Sequence, residues 1–197
     1  MPNQQEQQAM ADLFARHMGA EFAGDLETTL ATMTDNPHLV NVPSMVGGAG
    51  REGVRAFYAD HLVGKFLPPD VVFTEVSRTF GDRQLVDELV VSFTHTQEIE
   101  WMLPGVAPTG RPVSVAVVVI VGVENGKIAY EHIYWDQATV LVQIGLLDPA
   151  GLPVVGREAA AKVLNPALPG VAWPRAGSGT GRPGGGSAGR GAAVRRR

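Results

Sequence analysis

The feature that most constrains this chain is the dipeptide Asn125-Gly126, set between two long β-rich runs, Pro112–Val123 and Lys127–Val140. A two-residue hairpin loop needs positive φ at both central positions. Asn and Gly tolerate that conformation, so Asn-Gly between such runs marks a tight hairpin. With these as the two loop residues, Glu124 pairs with Lys127, Val123 with Ile128, Val119 with His132, Val117 with Tyr134 and Val115 with Asp136. Directly paired residues share a face. One face is therefore expected to carry His132, Tyr134 and Asp136 over a floor of Val115, Val117 and Val119. The other carries Glu131, Ile133 and Trp135 with Ser114, Ala116, Val118 and Ile120. The first strand of the hairpin is apolar on both faces, whereas a sheet with one wet face alternates. Both faces are expected to be covered, one by the chain's own helices and one by a second copy in a homodimer.

Upstream, the hydrophobic period is helical. Met10, Leu13, Phe14 and Met18 form one stripe. Gly24-Asp25 interrupts it, and Asp25 is suited to cap a second helix that presents Leu26, Leu30 and Met33 and ends at Asn36-Pro37. His38–Pro43 reads as a short strand, Gly47–Gly50 as a flexible loop, and Arg51–Leu62 as a helix with Val54, Phe57, Tyr58 and Leu62 on one face. After Pro68-Pro69 the pattern becomes β. Val71–Phe80 and Leu85–Glu98 are strands joined at Gly81-Asp82-Arg83, and a Pro- and Gly-containing loop, Ile99–Arg111, leads to the hairpin. Helices followed by an antiparallel meander make an α+β fold rather than a βαβ one. We expect a domain over residues 1–148, a Pro-punctuated arm over 149–175 with a short helix at Glu158–Leu164, and a disordered Gly/Arg tail over 176–197.

Composition narrows the function classes. Hydrophobic residues make up 45% of the chain, enough for a core. Residues 1–175 hold 11 Lys+Arg against 20 Asp+Glu, a charge of −9, so a folded face that grips nucleic acid is not expected. The absence of cysteine excludes disulfides, Cys-ligated metal and a thiol nucleophile. The longest apolar run, Val115–Val123, falls well short of the roughly 20 residues of a membrane helix. Met1–Gln8 is polar and does not read as a signal peptide. A soluble, cytoplasmic protein with no membrane partner is expected.

Three features carry a family resemblance. They are the stretch EHIYWDQATVLVQIGLL (Glu131–Leu147), with Asp136 followed by Gln143-Ile144-Gly145; the segment Thr94-His95-Thr96 followed by PGVAPTGR (Pro104–Arg111); and the order of helices, strand, helix and meander. Together, over roughly residues 8–148, they resemble the SnoaL-like polyketide cyclases of the nuclear-transport-factor-two-like superfamily, which includes ketosteroid isomerase and limonene-epoxide hydrolase. The resemblance implies a cone-shaped α+β barrel: helices pack on a curved antiparallel sheet whose concave side encloses a small-molecule pocket. Its convex side is commonly a dimer interface. No R-x-D occurs in the expected sheet, which weakens epoxide hydrolysis, and residues 3–23 lack the Tyr that ketosteroid isomerase places in its first helix.

On this resemblance Asp136 is the leading general acid/base, moving a proton next to a ketone. Its pKa would be raised by the apolar floor. The competing reading is an Asp held by backbone amides at a strand end. His95 would orient the base or donate to an enolate oxygen, or else only bond a loop carbonyl. Tyr134 and His132 share the face of Asp136 and are candidates to donate to a substrate oxygen or to shape the cavity. Asp87 and Glu88 point to opposite faces. Glu88 is carried as the candidate, with Asp87 taking its place if His95 faces inward. Asn41 is suited to orient a substrate oxygen, or to make a local contact beside Pro43. His17 and His61 read as satisfied core histidines. No metal-ligand spacing stands out, Gly47–Gly50 lacks the context of a phosphate loop, and no cofactor is expected. The function expected is a cofactor-free enzyme acting on a small apolar carbonyl substrate by intramolecular aldol cyclisation, isomerisation or hydrolysis. The alternative is a non-catalytic small-molecule-binding module.

Overall fold

A computed structural model describes residues 1–62 and 65–173. The expected tail at 176–197 lies outside the described residues. Helix α1 (Gln4–Ala23) begins at a capping box in which the Asn3 side chain and Glu6 satisfy each other's backbone N–H groups. It ends at Gly24, whose φ of 68° is the left-handed conformation of a C-terminal glycine. Asp25 then caps α2 (Leu26–Ala31) by accepting the Thr28 N–H.

Two strands follow where sequence reading placed the end of a helix, a short strand at His38–Pro43 and a loop. β1 (Met33–Asn41) runs through Pro37, and β2 (Val46–Ala49) uses the glycines read as flexible. Close approach explains the glycines: a Cβ on Gly47 or Gly48 would overlap backbone of Leu39 or Gly53. Helix α3 (Gly50–Phe57) runs on into a π turn, Tyr58–Leu62. Next come β3 (Val72–Phe80), β4 (Gln84–Thr94), β5 (Pro112–Glu124) and β6 (Lys127–Trp135), and then α4 (Gln137–Ile144) and α5 (Glu158–Leu164).

The strands form one curved, unclosed sheet in the order β2-β1-β6-β5-β4-β3. β1 lies parallel to β6 and the other pairs are antiparallel, so the α+β sheet is mixed rather than a pure meander. At the edge, β3 pairs only with β4, is bulged at Val76, and leaves Val72, Phe73 and Val76 exposed.

One bulge decides which side chains reach the interior. Asn125 and Gly126 do form the hairpin, with φ of 52° and 72°. Glu124 pairs with Lys127 and Val123 with Ile128, but Gly122 then pairs with Tyr130, leaving Ala129 as an extra residue. From there on β6 is shifted by one. Val121 faces Glu131, Val119 faces Ile133 and Val117 faces Trp135, while Ile120 faces His132 and Val118 faces Tyr134. The concave, core-lined face therefore carries Glu131, Ile133 and Trp135 with the valine floor; His132 and Tyr134 lie on the opposite face. Ile133 and Trp135, expected on one face with Val118 and Ile120, are put on the opposite face from them by the same shift.

Gly122 fits this bulge because the Tyr130 ring lies where its Cβ would be. Gly122→Ala should cost about 1–3 kcal/mol through overpacking, read as a shift in the chemical denaturation midpoint. An unchanged midpoint would mean the ring moves aside freely.

β6 ends at Trp135, opposite Val117, so the first residues of β5 lack a strand on that side. There the Gln143 side chain of α4 accepts the Ser114 N–H at 2.8 Å and donates to the Ser114 carbonyl at 3.0 Å. The helix thus completes the edge that β6 leaves open. Helix α5 packs against β5 and β4.

Candidate active site

The concave face, α1, α3 and the segment around Trp101 enclose a cavity of about 410 Å3. Its walls are mostly apolar, with Phe14, Phe57, Leu62, Leu89 and Val117 among them. At its floor, where Glu21 and Glu131 line the space, and just behind it, polar groups from separate parts of the chain converge. His17 and Glu21, one turn apart, extend the buried stripe of α1 that begins at Met10 and Leu13. Tyr58 opens the π turn, and Glu131 comes from the middle of β6.

Hydrogen bonding fixes the state of His17, which is fully buried. The Thr32 hydroxyl donates to the Thr29 carbonyl at 2.5 Å, so at 2.6 Å it accepts the His17 Nδ1–H. Nε2 then faces Glu21 at 3.0 Å, Glu131 at 3.3 Å and the Tyr58 hydroxyl at 3.1 Å. Burial disfavours the imidazolium, but Glu131 and Glu21 outweigh it and push the His17 pKa up to about 10. His17 is therefore a buried cation at neutral pH. The Tyr58 hydroxyl donates to Glu131 at 3.1 Å; burial and the two glutamates raise its pKa well above the ordinary value. His17, Glu21 and Glu131 have ligand atoms within 4.8 Å of one another, so they could hold a metal ion only if Nε2 gave up its proton.

A second polar pair lies in the cavity wall. Arg78 of β3 and Asp87 of β4 are cross-strand partners joined by two hydrogen bonds of 2.5 Å, Nε to Oδ1 and Nη2 to Oδ2. The guanidinium lies 5.8 Å from the Phe14 ring centroid. Asn41 also lines the cavity, with its amide donating to the Val46 carbonyl.

The SnoaL-like polyketide cyclase family model matches residues 11–144, which contain every group just described. The chain belongs to that family. No curated protein matches it. Solved structures share its fold. IdmH of Streptomyces antibioticus, for which polyketide cyclase activity has been proposed, is 24% identical, with a TM-score of 0.52 over 68% of this chain and 97% of its own. A protein of Jannaschia sp. CCS1 proposed as a SnoaL-like cyclase is 18% identical, with a TM-score of 0.57 over 72% and 94%. TsrD of Streptomyces laurentii is 18% identical, with a TM-score of 0.56 over 75% and 100%. Family membership supports an enzyme of the cyclase or isomerase type.

In this SnoaL-like chain the site residues expected from sequence are dispersed. Asp136 is exposed and caps α4, accepting the Thr139 N–H at 3.2 Å and the Thr139 hydroxyl at 3.0 Å. This is the backbone-held alternative. Tyr134 is 40% exposed on the outer face, and His132 sits there 3.1 Å from His38, its pKa lowered by burial and by that neighbour. Glu88 also faces outward, accepting from Ser77, while Asp87 takes the cavity side. His95 shares the parity of Asp87 but lies beyond the end of β4, held by Thr109 and Arg111. It is fully buried, which lowers its pKa, and its Nε2 has no hydrogen-bond partner among the described residues. Of the residues expected, the structure brings Asn41 and the alternative Asp87 to the cavity. Glu131, Glu21, His17 and Tyr58 were missed, although His17 and Glu21 fall in phase with the apolar stripe of α1. Among the described residues no helix is long and apolar enough to cross a membrane.

As a cap, Asp136 contributes to stability. Asp136→Ala should cost about 1 kcal/mol by thermal melting, and we expect ligand binding in the cavity to be unchanged. A loss of binding with intact stability would return Asp136 to the site.

Proposed function

We propose that this SnoaL-like chain is a cofactor-free proton-transfer enzyme, acting on an apolar carbonyl compound by ring closure of the intramolecular aldol type, with Glu131 as its general acid/base. The observation that carries this reading is the position of Glu131: it is 3% exposed and lines a mostly apolar cavity in contact with Tyr58 and His17. The role first given to Asp136 passes to the carboxylate on β6 that faces inward.

The chemistry balances without a redox partner. Glu131 takes a proton from the carbon next to a carbonyl, breaking the C–H bond. The enolate carbon attacks a second carbonyl carbon of the same substrate, forming the ring C–C bond. The alkoxide formed takes the proton back from Glu131, so the product is an isomer of the substrate. His17, balanced by Glu21, holds positive charge beside the base, and Tyr58 keeps the carboxylate oriented. Asn41, one row along from Glu131 at the β1–β6 pairing, orients a substrate oxygen.

The test is hydrogen–deuterium exchange at the α-carbons of 4-phenylbutan-2-one in D2O, followed by NMR. Exchange faster than in buffer, and lost in Glu131→Gln, is expected. Binding of the ketone without exchange would favour the non-catalytic module.

A further inference from the structure

The charge and aromatic content of the cavity carry a statement about the substrate itself. Four carboxylates line the space, Glu21, Glu75, Asp87 and Glu131, against one cation, Arg78. Arg78 spends two of its N–H groups on Asp87. The one other positive group at the site, His17 behind the floor, is shared by Glu21 and Glu131. With these groups ionised, carboxylates exceed cations by two; among the described residues Glu75, on the exposed edge strand, forms no ion pair within 4 Å, and its charge acts on Arg78 only from a distance.

The apolar lining is rich in π faces. Phe14, Phe22, Phe57, Phe66, Phe73 and Trp101 all contribute. Phe22 packs edge-to-face on Phe66 at 5.0 Å and on Phe73 at 5.4 Å, and Phe66 stacks on Trp101 at 5.7 Å. Phe22 and Phe73 are 49% and 40% exposed, which places the start of this aromatic run at the surface. Aromatic faces attract a desolvating cation through their quadrupole, and unpaired carboxylates attract it through charge; both repel an anion.

We propose that the cavity selects an apolar ligand bearing a cationic nitrogen, received by the aromatic lining and the Glu21–Glu131 floor, and that it excludes anionic ligands. This rests on the site assigned above and narrows its substrate to a carbonyl compound that also carries an amine.

Three phenethyl probes that differ only at the head test it: trimethyl(2-phenylethyl)ammonium, 4-phenylbutan-2-one and 3-phenylpropanoate. Titration of the full chain at low ionic strength, read by calorimetry and tryptophan fluorescence, should give the ammonium an affinity about tenfold above the ketone. The carboxylate should not bind measurably. Glu131→Gln should remove most of the ammonium's advantage and leave the ketone within about twofold, because only the charge term changes. Glu75→Gln and Phe22→Leu, on exposed residues that do not threaten the fold, should each weaken the ammonium alone by about threefold. Equal binding of ammonium and ketone, tighter binding of the carboxylate, or an ammonium affinity untouched by all three variants would overturn the proposal. Ketone exchange that needs Glu131, without ammonium preference, would remove this inference and leave the proton-transfer reading standing. Ammonium preference without exchange would do the reverse.

Discussion

Glu131→Gln should lose about 10²–10⁴-fold of the α-proton exchange rate, the usual contribution of a general base, and should remain folded. The amide matches the carboxylate in shape and can still accept from the Tyr58 hydroxyl. What it loses is the capacity to take a proton. The charge inventory explains why folding should survive. In the wild-type floor one imidazolium serves two carboxylates. Removing one leaves His17 paired with Glu21 rather than an isolated buried ion, the outcome that costs most. Rates would be read by NMR exchange and folding by circular dichroism. A well-folded variant with full exchange would move the chemistry to Glu21 or to Asp87. Either is testable by the corresponding amide.

Alkaline pH should destabilise the protein through His17. Its folded pKa, about 10, lies above the ordinary histidine value of 6.5. A raised folded pKa means that the folded state binds the proton more tightly than the unfolded chain. The stabilisation is complete below pH 6.5 and is lost progressively as pH rises to about 10. Melting temperature should therefore fall across that window. His17→Gln should start lower at neutral pH, because Glu21 and Glu131 then face each other without a cation, and should lack this part of the slope. Above this window Tyr58 adds to the effect, since the buried phenol resists ionisation. Identical pH slopes in the two proteins would show that His17 does not titrate as a buried cation.

Much of the fold was legible because its signals are local. Asn125-Gly126 located the hairpin, and the change of period after Pro68-Pro69 marked the start of the run of strands β3 to β6. Capping residues such as Asp25 marked a helix start. The site was less legible because it depends on a face, and a single inserted residue reverses a face. Ala129 is small and apolar, and nothing about it in isolation distinguishes a bulge from an ordinary strand position. Gly122 and Tyr130 held the clue, since a glycine beneath an aromatic ring reads as a bulge partner only once both are known to be neighbours. Asp136 misled for a related reason: Asp followed three residues later by Thr139 is a helix start, and it ended the strand that sequence reading extended to Val140. The first half of the strand at Met33–Asn41, ahead of the His38–Pro43 segment that did read as a strand, and the strand at Val46–Ala49 escaped notice because Pro37 and the glycines argue against strands in isolation. Pro37 falls in the irregular stretch of the β1–β6 pairing between Met33 and His38, and close backbone packing at Gly47 and Gly48 favours residues without a side chain.

The geometry of β3 has a consequence for how the molecule lives among its own copies. An exposed edge with Val72, Phe73 and Val76 is a template on which another chain could add a strand. The bulge at Val76 breaks the regular run of hydrogen-bonding groups, and Glu75 and Arg78 on the same strand place charges where an added strand would have to bury them. These two charged residues also line the cavity. Neutralising them to admit a more apolar ligand would weaken the edge's defence, so adapting this site to new substrates is bound to the risk of self-association.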